Sequence, residues 1–243
     1  MSTLGPRLSR EPIFNVPTAV VVALALLGLV HVAMSQLSDI DDEHLIWVLA
    51  FVPARYTGWA DQIPGGPIAS WTSFVTHQFV HGDLTHLLIN CAWLLVFGSP
   101  VARRIGGLRF FVFALVCGVA GAVAFMLVRW GEAVPMVGAS GAISGLMGAG
   151  FRLLLPAIDN GEFHEMRETP RAVRLATLGE CVRNRRLIFA VIAFLIVNFL
   201  IAFAAPVVTD AAGIAWEAHI GGFFAGLLLL GAFDLGPQAD ETF

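Results

Sequence analysis

Apolar runs long enough to cross a lipid bilayer recur along the 243-residue chain, and this repetition restricts the fold more than any motif does. In a hydrocarbon layer roughly 30 Å thick, each backbone N–H and C=O needs a partner inside the protein, and helices of about 20 residues supply it segment by segment. Runs at 17–35, 83–100, 108–128, 140–155, 187–205 and 213–233 are read as spans, so an all-α polytopic membrane protein is expected. A hydrophobic content of 57%, a charged content of 13% and a mean hydropathy of +0.79 agree with that class and exclude an ordinary soluble domain. The spans and their loops use up the length, which implies one membrane domain over 1–243.

The run at 17–35 is long for the core of a cleavable signal, and we read it as a retained first helix. Residues 36–80 form a long connection in which the nine apolar residues 45–53 cannot cross a bilayer and are expected to lie in its interface. Trp47, Tyr56, Trp59 and Trp71 suit that level as anchors. Pro156 is expected to close the fourth helix and open a polar loop over 156–186. A helix confined to 140–155 would rise only about 24 Å and leave Ser140 below the membrane surface.

All fourteen basic residues are Arg, and their positions give the orientation. With the N-terminus inside, only Arg55 and Arg129 fall outside, a strong positive-inside bias that predicts cytoplasmic termini in a multi-pass protein of the cell (inner or plasma) membrane. Cys91, Cys117 and Cys181 have no disulfide or metal-ligand spacing, no cofactor is implied, and no basic or aromatic signature of nucleic-acid binding is present.

This threading starts the second, fourth and sixth spans on the outer side, so their first turns share a depth. His86 and Asn90 lie one turn apart on the second, Ser140 begins the fourth, and His219 comes roughly 9 Å into the sixth. Gly141, Gly145 and Gly148 form one small-residue stripe, and His219, Gly222 and Gly226 continue another, so the two backbones can approach closely. A serine hydroxyl becomes a useful nucleophile when a neutral imidazole takes its proton, roles that Ser140 and His219 fit. The Ser140 amide, the Asn90 carboxamide and a His86 N–H are the candidate oxyanion donors. No buried Asp is placed to orient His219, and Glu217 lies two positions away near the opposite helix face, so the pattern reads as a dyad.

At these residues the chain resembles the rhomboid family of intramembrane serine proteases. Gly138-Ala139-Ser140-Gly141 matches the family's GxSG, His86-Leu87-Leu88-Ile89-Asn90 its HxxxN with His81 upstream, and Ala218-His219-Ile220-Gly221-Gly222 its histidine motif. The resemblance implies a six-helix bundle with a half-embedded first loop, Ser140 as nucleophile, His219 as base, and His86 and Asn90 as oxyanion side chains. It also implies a gate at the fifth helix and the loop around 206–213, and substrates that are other membrane proteins, cut near the outer end of a transmembrane helix, usually beside a small residue.

Three positions depart from the family's habit. Thr72 follows Trp71 where many relatives carry Arg, Val101-Ala102-Arg103 lacks an acidic residue, and Ser144 stands where relatives often place a ring against the catalytic imidazole, with Phe223 a substitute. Two other readings are weighed. A zinc site at His77, His81 and His86 lacks the HExxH pattern. A non-catalytic rhomboid-like chaperone or a transporter would not require both Ser140 and His219.

Overall fold

The computed structural model describes residues 16–208 and 214–236, and among them the only β pairing is an isolated antiparallel bridge between Phe51 and Met136. Arg7 and Arg10 lie outside the described residues, as do 209–213 of the expected gate.

The chain starts with α1 (Thr18–Met34), a 17-residue apolar helix, and then α2 (Asp39–Leu49), which opens on a Ser38 cap that accepts a hydrogen bond from the Asp41 N–H. Three acidic residues in the first turn of α2 favour its positive N-terminal dipole end. Two short 3₁₀ turns at Pro53–Thr57 and Ala60–Gln62 lead into α3 (Gly66–Thr76). Residues 45–53 thus divide between the end of α2 and an extended turn in which Ala50, Phe51 and Val52 are fully buried. Buried Arg55 holds this loop together, its Nη2 donating to the Trp47 and Pro64 carbonyls at 2.6 and 2.8 Å.

The second span is α4 (Leu84–Trp93), a π turn at Leu94–Gly98 and α5 (Ser99–Ile105), continuous over Leu84–Ile105. It runs past residue 100 because the π turn widens the helix just before Pro100, so the ring and the missing N–H fall at the start of α5. After Gly106, at φ 81°, come α6 (Gly107–Val128) and α7 (Ser140–Asp159). Pro156 does not close α7 but sits inside it. Tertiary contacts outweigh its cost: Ala157 is 2% exposed in the core, and Asp159 accepts from Asn184 and pairs with Arg186. At 20 residues α7 rises about 30 Å, a full bilayer, so a truncated helix is not what sets the depth of Ser140.

The connection 160–184 holds α8 (Phe163–Glu168) and α9 (Leu178–Cys181), the latter opened by a reciprocal Thr177–Glu180 capping box. The last spans are α10 (Arg185–Val208), longer at both ends than expected, and α11 (Trp216–Phe233), which starts three residues later than expected. Five of these helices have the length and apolarity to cross a membrane, with α1 a shorter apolar helix beside them, so the protein is an all-α polytopic membrane protein.

The centre is a three-helix core of α6, α7 and α11. Buried residues make up 67% of the spanning window of α7 but only 17% of that of α10. Glycines allow the central contact: a Cβ on Gly222 would come within 2.0 Å of the Gly141 carbonyl oxygen, and one on Gly226 within 1.8 Å of that of Gly145. Farther along α7 from Ser140, Arg152 donates to the carbonyls of Ala176, Leu227 and Leu228. Fully buried Arg104 forks onto Asp234 at 2.6 and 2.7 Å and donates to the carbonyls of Pro170 and Val173.

Candidate functional site

Ser140 is the first residue of α7 and follows Gly138 and Ala139. Gly138 has φ +119°, a conformation that side chains resist, and its N–H donates to the His77 carbonyl at 2.8 Å. Phe51 and Met136 exchange two backbone hydrogen bonds at 3.0 and 2.9 Å, which ties the segment entering the serine to the first loop. As a first-turn amide, the Ser140 N–H has no acceptor within its own helix.

His219 is the fourth residue of α11, one turn from the helix start, and its Nε2 lies 2.8 Å from Ser140 Oγ. The close approach of α7 and α11 at Gly141 and Gly222 brings the two side chains within reach. The other ring nitrogen, Nδ1, lies 2.9 Å from Oδ1 of Asn198 on α10. Asn198 in turn donates from Nδ2 to the Phe194 carbonyl at 2.8 Å, which directs its oxygen toward the ring. An amide oxygen only accepts, so this network assigns the proton to Nδ1 and leaves Nε2 free to accept from the serine hydroxyl.

His86 and Asn90 face the same loop. Asp83 caps α4 through the His86 N–H at 2.8 Å. A Cβ on Gly138 would lie 2.7 and 2.8 Å from Cε1 and Nε2 of His86 and 3.9 Å from Nδ2 of Asn90. The buried Asn90 carboxamide donates to the His86 carbonyl at 3.0 Å, and an amide NH₂ keeps a second hydrogen free.

The other histidines of the first loop are built into its packing. The buried His77 ring bonds through Nδ1 to the Ser73 carbonyl at 2.6 Å, and burial pushes its pKa down to about 4. His81 meets the Ala139 N–H at 3.5 Å through Nε2 and packs edge-on against His86 at 5.0 Å. Glu217, 2% exposed, pairs through Oε1 with Arg129 at 2.6 Å.

Phe223 does not replace the missing ring: it stacks on Phe194 at 4.2 Å and packs edge-on with Phe151 and Phe224. The residue that sequence reasoning passed over is Asn198. It is the one strongly polar side chain of the fifth span, and nothing in the sequence shows which helix it faces.

Comparison with known proteins bears on the same stretch. The chain is 31% identical over 169 residues to Rhomboid protease GluP of Bacillus subtilis (strain 168), covering 70% of this chain and 27% of the relative. It is 30% identical over 161 residues to RHOMBOID-like protein 5 of Arabidopsis thaliana, covering 66% of this chain and 43% of that one. It therefore spans less than half the length of either relative. The rhomboid domain matches residues 69–234, from α3 to the end of α11, and the chain belongs to the rhomboid family.

Proposed function

We propose that the protein is an intramembrane serine endopeptidase that cleaves transmembrane segments of other membrane proteins. The observation that carries this reading is the 2.8 Å contact between Ser140 Oγ and His219 Nε2. Ser140 Oγ attacks the scissile carbonyl carbon as its proton passes to His219 Nε2, and the carbonyl becomes an oxyanion. The Ser140 N–H, the Asn90 carboxamide and the His86 ring are its donors, each worth about 3 kcal/mol of barrier. Collapse of the intermediate breaks the C–N bond, and the imidazolium returns the proton to the leaving amine. Water then adds to the acyl-serine with His219 again as base, releasing the carboxylate and restoring Ser140. The Arg distribution supports a location in the cell membrane with both termini cytoplasmic.

A fluorophosphonate probe and a reporter transmembrane segment test the chemistry without the natural substrate. Ser140→Ala and His219→Ala should each abolish cleavage and labelling while the protein stays folded and inserted. Asn90→Ala should keep weak turnover through the remaining donors. Wild-type cleavage by Ser140→Ala would refute the assignment, and capture of the reporter without cleavage by the wild type would favour a binding protein.

A further inference from the structure

We infer that Asn198 is a positioning residue for His219, the third member of a Ser140–His219–Asn198 relay, an inference that rests on the peptidase reading above. Three observations carry it. Asn198 is 8% exposed, whereas its neighbours Ile196, Val197 and Leu200 are 53, 51 and 63% exposed, so one carboxamide turns inward from a helix face otherwise given to lipid. Its Oδ1 lies 2.9 Å from His219 Nδ1. Its own Nδ2 is committed to the Phe194 carbonyl, and rotating the amide by half a turn would set two oxygens against each other at 2.8 Å. The amide is therefore locked with its acceptor toward the ring and selects the tautomer in which Nε2 can take the serine proton. Glu217 Oε1 pairs with Arg129 and Phe223 stacks on Phe194, while Asn198 is the side chain bonded to His219 Nδ1 and holds the imidazole from behind.

The simpler role for such a residue is adhesion, an amide fastening α10 to the bundle. The two roles separate in measurement. Asn198→Leu replaces the carboxamide with an apolar side chain of similar size and so removes the acceptor, and Asn198→Asp keeps the acceptor. The expected result for Asn198→Leu is a fall of about 10- to 100-fold in kcat and in the rate of fluorophosphonate labelling of Ser140, with KM unchanged. Asn198→Asp should recover at least half of that loss on a logarithmic scale. In ¹⁵N-histidine spectra, His219 should appear as the Nδ1–H tautomer in the wild type and as a mixture in Asn198→Leu.

If Asn198→Leu fails to fold, Asn198→Ala takes its place with the same expectations. A leucine or alanine variant that labels at the wild-type rate with its tautomer unchanged overturns the positioning role and leaves the Ser140–His219 reading intact. A wild type that never labels overturns both.

Discussion

Gly222→Ala tests how the site is held together. A Cβ there would sit 2.0 Å from the Gly141 carbonyl oxygen and 3.3 Å from that of Cys117, whereas ordinary contact begins at 3.4 Å. Both obstacles are backbone atoms inside helices, which cannot swing aside as a side-chain tip can. α11 must therefore withdraw from α7 by about 1.4 Å (3.4 less 2.0), with an overpacking cost of about 1–3 kcal/mol. The clash falls beside the site: Gly141 adjoins Ser140, and His219 lies one turn from Gly222, about 4.5 Å along the axis. The same withdrawal would stretch the 2.8 Å contact between His219 and Ser140 to about 4 Å, beyond proton-transfer reach. Displacements of this size cost about 100-fold in rate. Reporter cleavage in liposomes and fluorophosphonate labelling should both fall by that factor, with a lower melting temperature in detergent. Gly28→Ala, where nothing lies within 4 Å, is the control and should change neither. If folded Gly222→Ala labels within threefold of the wild type, helix spacing is not what sets the geometry of the pair.

Two further predictions concern stability. Burial keeps the pKa of His77 at about 4, whereas the unfolded ring takes up a proton near 6.5, so stability present above pH 6.5 is lost as pH falls toward 4. Between pH 7 and 5 the wild type should lose about 2 kcal/mol through this group, and His77→Gln should show a correspondingly flatter profile in denaturant titrations. Asp234→Ala strands the fully buried Arg104 and should cost about 3–5 kcal/mol, while Arg104→Met combined with Asp234→Leu should regain most of it in the same titrations.

The residues of the proposed chemistry were legible in sequence because helical periodicity and the inside–outside threading carry depth. Ser140, His86, Asn90 and His219 could be assigned to one layer from spacing alone. What spacing does not carry is the rotation of one helix against another, and there the reading stopped. Asn198 is a polar residue in an apolar run, but its aim toward His219 depends on the rotation of α10, the next span after α7 and separated from it by a long loop. Phe223 failed as a substitute ring for the same reason, since its face of α11 meets Phe194. Pro156 marks a helix end by its local chemistry, but packing decides here: the turn beyond it is held by Ala157 in the core and by the partners of Asp159.

The guanidinium of Arg152 ties α7 to α11 at the carbonyls of Leu227 and Leu228, more than two turns along both helices from the serine and imidazole. Joined there and pressed together along the glycine seam, the pair works like tweezers: a small splay at the joint becomes a larger gap at the tips. A substitution near the joint, far from any reacting atom, would thus register as slower chemistry with little change in how firmly a substrate is held.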